Sequence, residues 1–121
     1  MEEKIKKFFQ GAGKEAAEHL GAGARVLITT GVNASNTLII TEEREIQVGK
    51  GSGDIEIRGN EKMMDDLFSS SNMDEFSEKM ISYIKDRKGP EVKILLDRTM
   101  EDTEKFERDY YYFLRKMILI R

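Results

Sequence analysis

The chain has 121 residues, 20 Lys and Arg against 23 Asp and Glu, a formal charge of −3, and no cysteine. That length fits one domain better than two. The missing cysteine excludes disulfides, thiolate metal sites and a cysteine nucleophile, and the interleaved, slightly acidic charge speaks against a general nucleic-acid binder, which would carry a net basic face. No apolar run approaches the ~18 residues that a bilayer-spanning helix needs, and Met1-Glu2-Glu3-Lys4 does not open a secretory leader; the expectation is a soluble, cytoplasmic protein.

Residues 1–21 read as a helix, because Ile5, Phe8, Phe9, Ala12, Ala16 and Leu20 recur at three- and four-residue spacings. Gly11 and Gly13 weaken it, and Gly21 and Gly23 end it. Four strands are predicted over residues 24–58: Arg25–Thr30, Asn36–Thr41, Arg44–Val48 and Asp54–Arg58, with Ile46 and Val48, and then Ile55 and Ile57, alternating onto one face. Short connections between them predict an antiparallel meander with one buried face. Residues 60–88 hold two helices. Asn60 is placed to cap the first, which carries Met63, Met64, Leu67 and Phe68, and Asn72 to cap the second, with Glu75 where a capping box has an acid. A fifth strand is predicted over 92–97. A long final helix follows over 99–119, with Thr99 and Asp102 at its start and Phe106, Tyr110, Phe113, Leu114, Met117 and Ile118 on one stripe. The fold class is therefore α+β: one domain over residues 1–121, with about five mainly antiparallel strands covered on one face by helices.

Chemistry-bearing motifs are scarce. Gly49-Lys50-Gly51-Ser52-Gly53 lacks the spacing of a phosphate-binding loop and runs into a strand rather than a helix, so it reads as a flexible hairpin loop. His19 sits near the end of the first helix, where a cation suits the helix dipole. The adjacent carboxylates Asp65-Asp66, Glu42-Glu43 and Asp74-Glu75 diverge and do not converge on one ion. No nucleophile elbow, metal-binding helix or calcium loop is present in the sequence, so neither an enzyme nor a cofactor is predicted. The rings of Tyr110-Tyr111-Tyr112-Phe113 spread around the helix, with Tyr110 and Phe113 on the apolar stripe. Methionine occurs seven times; Met63, Met64, Met80, Met100 and Met117 fall on or near core-facing positions, where this adaptable side chain suits variable apolar contacts.

From about Ala24 to Lys116 the sequence resembles a sterol-carrier-protein-2 (SCP-2) domain. The likeness is carried by Gly53-Asp54-Ile55-Glu56-Ile57-Arg58-Gly59 leading into a helix with Met63-Met64-Asp65-Asp66-Leu67-Phe68, by the polar break before a helix beginning near Phe76, and by Val92-Lys93-Ile94 followed by a helix with Phe113-Leu114. The resemblance implies a five-stranded sheet covered on one side by helices, an apolar tunnel between the layers, and non-catalytic binding of a fatty acyl or sterol-like lipid. Residues on helices facing the sheet are the candidate lining: Leu67, Phe68, Phe76, Met80, Ile84, Phe106, Tyr110 and Phe113. A second reading is a protein-interaction or regulatory module, homodimeric through the apolar helix end Met117-Ile118-Leu119-Ile120.

Overall fold

The computed structural model describes the chain apart from Asn33, residues 96–99 and residues 119–121, and in the last helix it describes side chains from residue 107 onward. In chain order the elements are α1 (Glu2–Gln10), α2 (Lys14–Ala17), β1 (Arg25–Gly31), β2 (Ala34–Ile40), β3 (Ile46–Gly49), β4 (Ile55–Arg58), α3 (Glu61–Phe68), α4 (Met73–Lys85), β5 (Glu91–Ile94) and α5 (Met100–Met117). The N-terminal helical stretch is broken, not continuous. α1 ends at Gln10, and Gly13 lies so close to the Phe8 ring that a Cβ there would sit 2.2 Å from it, so the glycine that weakens the helix also admits a buried ring.

The five strands form one α+β sheet in the order β3-β2-β1-β4-β5. Three pairings are antiparallel, β1 with β2, β2 with β3 and β4 with β5, while β1 and β4 run parallel. The predicted four-strand meander is thereby corrected: β4 does not turn back along β3 but crosses to the far side of β1. Burial explains the choice. Beside β3, Ile55 and Ile57 would extend an outer edge; beside β1 they stand next to Val26 and Ile28 and are only 3% exposed each. Burial of that kind contributes about 1.5–3 kcal/mol per side chain.

The crossover is made by residues 50–54, which must span three strand intervals, about 14 Å. It passes over the face of the sheet opposite the helices. There the Thr37 hydroxyl donates to the Gly51 carbonyl at 2.7 Å, and Gly53 presses so closely on β1 that a Cβ would lie 2.6 Å from the Leu27 nitrogen. The glycine-rich segment is therefore a strap lying flat on the sheet, not the flexible hairpin loop predicted for it.

On the helix-covered face, Val26, Ile28, Leu38, Ile40, Ile55 and Ile57 join Ile5, Phe8, Phe9, Leu67, Phe76, Met80, Phe113 and Met117 in one buried cluster. The helix caps form as predicted. Asn60 accepts from the Met63 N–H, Asn72 accepts from the Glu75 N–H, and Glu75 reaches back to the Ser71 N–H. The proposed Thr99 and Asp102 cap lies outside the described residues.

Candidate functional site

The helices' side of the layer facing the sheet is made chiefly of phenylalanine and methionine. Phe8 lies at its centre, with ring centroids of Phe9, Phe76 and Phe68 at 5.1, 5.1 and 5.2 Å. Phe9 in turn meets Phe113 at 6.0 Å. Met63, Met64, Met80 and Met117 fill the spaces around these rings and are at most 3% exposed. The edge-on pairs Phe8–Phe9 and Phe8–Phe68 contribute about 0.5–1.5 kcal/mol each beyond their burial, whereas methionine adjusts its shape at little cost.

α4 covers part of this layer and is held lightly. Thirteen residues long, it buries only Phe76 and Met80. Polar contacts at its border tie it to α3: the Tyr83 hydroxyl donates to Asp66 at 2.7 Å, and Lys79 lies 3.3 Å from the same carboxylate. The hydrogen bond from Tyr83 holds the Asp66 carboxyl below its ordinary value and raises the Tyr83 phenol. Asp65 points elsewhere, to Lys4, so this adjacent acid pair serves two separate partners.

Of the sequence candidates, Leu67, Phe68, Phe76, Met80, Tyr110 and Phe113 come together in the buried cluster. Ile84 does not. It continues the stripe of α4 into the last turn, where it is 43% exposed and packs against Gly89. Phe106 and Met100 have side chains outside the described residues. Rings and methionines from the helices meet aliphatic side chains from the sheet in the space where the resemblance implied a tunnel.

Among the described residues, open grooves run along the outside of the domain. One follows the strap-side face of the sheet past Leu27, Thr29, Glu56 and Arg58 to Met63 and Lys88. A second runs between α1 and the α3–α4 turn, along Lys4, Lys7, Phe68 and Ser70. A third lies between α2, α4 and α5, bordered by Glu15, His19, Ser77 and Tyr112. Phe68 borders the second; the other candidates with described side chains line none of the three.

Two polar clusters escaped the sequence reading. Tyr110 was placed on the apolar stripe, and its ring is buried, but its hydroxyl donates to the carboxylate of Asp54 and accepts from the Arg25 N–H at 3.1 Å. Asp54 is itself only 3% exposed and faces the Arg25 guanidinium at 3.5 Å. One phenol thus fastens α5 to the starts of β1 and β4. On the strap side, Glu56 alternates with Ile55 and Ile57 as a solvent-facing residue would, yet it is 4% exposed. The Thr29 hydroxyl donates to it at 2.6 Å and Arg58 at 3.2 Å. The Thr29 hydrogen bond is the main force holding its carboxyl below the usual value; burial opposes this, and the charges of Arg58 and Lys93 assist. His19, read as a helix cap, stacks on the Tyr112 ring at 5.8 Å, with Arg108 over the same ring.

Among the described residues, no helix is long and apolar enough to cross a membrane, and no three His, Asp or Glu side chains gather as metal ligands.

No family model matches the chain, and no curated protein matches it. A solved structure described as "UbiJ-SCP2 Ubiquinone synthesis protein" is similar over 76% of this chain and 76% of that one, at 19% identity and a TM-score of 0.48. At that identity and overlap, neither ligand nor activity passes from that protein to this chain.

Proposed function

We propose that the protein is a non-catalytic binder of an apolar ligand, a fatty acyl chain or sterol-like lipid, taken up between the sheet and its helical cover. The observation that carries this reading is the construction of the cover. The Phe8 and Phe68 rings pack against Phe76 of α4, a helix whose only buried side chains are Phe76 and Met80. Swinging α4 outward sacrifices the burial of Phe76 and Met80, about 3–6 kcal/mol at ordinary transfer values. A ligand recovers that amount by burying roughly eight methylenes at about 0.8 kcal/mol each. Methionine on both sides of the opening lets the same walls close on different apolar shapes. Leu67, Phe68, Phe76, Met80, Tyr110 and Phe113 are the proposed contacts.

The test is native mass spectrometry of the protein purified from cells, followed by hydrogen exchange with and without added palmitate or cholesterol. The expected result is a co-purifying lipid and slowed exchange over residues 73–85 when lipid is bound. A ligand-free protein whose α4 amides exchange identically in the presence of either lipid overturns the reading.

A further inference from the structure

The two edges of the sheet are finished differently. At the β3 edge, Ile46 and Val48 are packed against the core. At the β5 edge, Val92 and Ile94 point to the same side of the sheet as Ile57 and Ile55, yet they are 39% and 67% exposed. Among the described residues, the backbone there is bonded on one side only. Leu95 donates its N–H to Asp54 at 2.9 Å, and alternate residues of an antiparallel strand turn both backbone groups the same way. Glu91, Lys93 and Leu95 therefore bond inward to β4, while Val92 and Ile94 present their N–H and C=O groups outward.

We propose that this edge is a homodimer interface. The β5 strands of two copies pair antiparallel about a two-fold axis at Val92, and the sheet continues from one copy into the other. In that register Val92 exchanges two backbone hydrogen bonds with Val92 of the second copy, and each Ile94 N–H meets a Pro90 carbonyl. Pro90 has no N–H to leave unpaired. The charges choose this register over its neighbour. An axis at Val92 sets Glu91 beside Lys93 of the second copy, twice, on the strap-side face. An axis at Lys93 sets the two lysines directly opposite one another, which is destabilising in a sheet. A short strand carrying lysine and proline ordinarily discourages edge pairing; here the same residues admit one self-complementary register and disfavour the next.

Sedimentation velocity of the full chain over a concentration series tests this. The expected result is a monomer–dimer equilibrium. Ile94→Asp replaces a side chain that is already 67% exposed, so the fold survives, and it weakens the dimer. Glu91→Lys sets lysines opposite each other in both symmetry-related pairs and raises the dissociation constant about tenfold. Circular dichroism confirms that each variant is folded. A single monomer boundary at every concentration, or a dimer that either folded variant leaves unchanged, overturns the proposal.

Discussion

Beneath the helices the sheet presents Val26, Ile28, Leu38, Ile40, Ile55 and Ile57, all at most 3% exposed, whereas the opposite face, which the strap crosses, presents Thr37, Thr29 and Glu56, exposed by 1%, 9% and 4%. Both sets of side chains are withdrawn from water, the first by apolar contact and the second by hydrogen bonds. The strap supplies a carbonyl to Thr37, Thr29 supplies a proton to Glu56, and Arg58 supplies a counter-charge. An apolar face tolerates reshaping so long as volume is kept. A hydrogen-bonded face does not, because a single missing partner leaves a buried polar group exposed to the full desolvation cost.

The comparison can be broken on either side. The largest effect is expected on the helix side: Phe9→Ala empties a fully buried ring site and costs about 3–5 kcal/mol, read as a lowered midpoint in urea. On the strap side, Gly53→Ala drives a Cβ to 2.6 Å from the Leu27 nitrogen and 3.1 Å from the Ile55 carbonyl. Backbone must shift, and the expected loss is about 1–3 kcal/mol, accompanied by faster exchange of the Leu27 and Ile55 amides. Thr29→Val keeps the shape and removes the donor to Glu56, with an expected loss of about 1–3 kcal/mol. At the low end, Lys116→Ala removes an ion pair with Glu15 whose two side chains are 41% and 59% exposed; thermal melts should register about 0–1 kcal/mol.

Acid sharpens the same contrast. The folded state holds Glu56 below its usual value of 4.5. The ionised group therefore contributes stability that is fully present above that value and is lost as pH falls through the lower, folded one. Urea melts of the wild type and Glu56→Gln across that range should show the wild-type advantage shrinking as the solution is acidified. An advantage independent of pH would mean that shape rather than charge holds the residue.

Periodicity revealed the elements because each buries one face. Ile55 and Ile57 at spacing two, and Phe76 and Met80 at spacing four, marked a strand and a helix that the structure contains. Periodicity could not say which strand lies beside which. Ile55 and Ile57 would alternate identically next to β3 or next to β1, and only the relative burial at the two places, a tertiary quantity, separates them. The glycines of the strap were visible, but a hairpin and a close backbone crossing require glycine equally. Glu56 was misread for a related reason: alternation assumes that the second face is wet, and the Thr29 hydroxyl that takes up its carboxylate comes from another strand, outside the local pattern. Ile84 fits the stripe of α4 but occupies its last turn, where it meets Gly89 and solvent and not the sheet.

The crossing of the strap also orders events in time. β1, β2 and β3 are joined by short turns and pair through neighbours in sequence. That three-stranded unit can assemble as soon as residues 25–49 are available, on the microsecond scale of hairpins. β4 cannot join until a longer-range loop is closed across its back, and β5 needs β4 as its template. Contacts that close larger loops form later and slow the whole process. A chain emerging from the ribosome thus completes the β3-β2-β1 part of its sheet first and holds β1, with Val26 and Ile28, bare along one edge, awaiting a strand that has not yet been made.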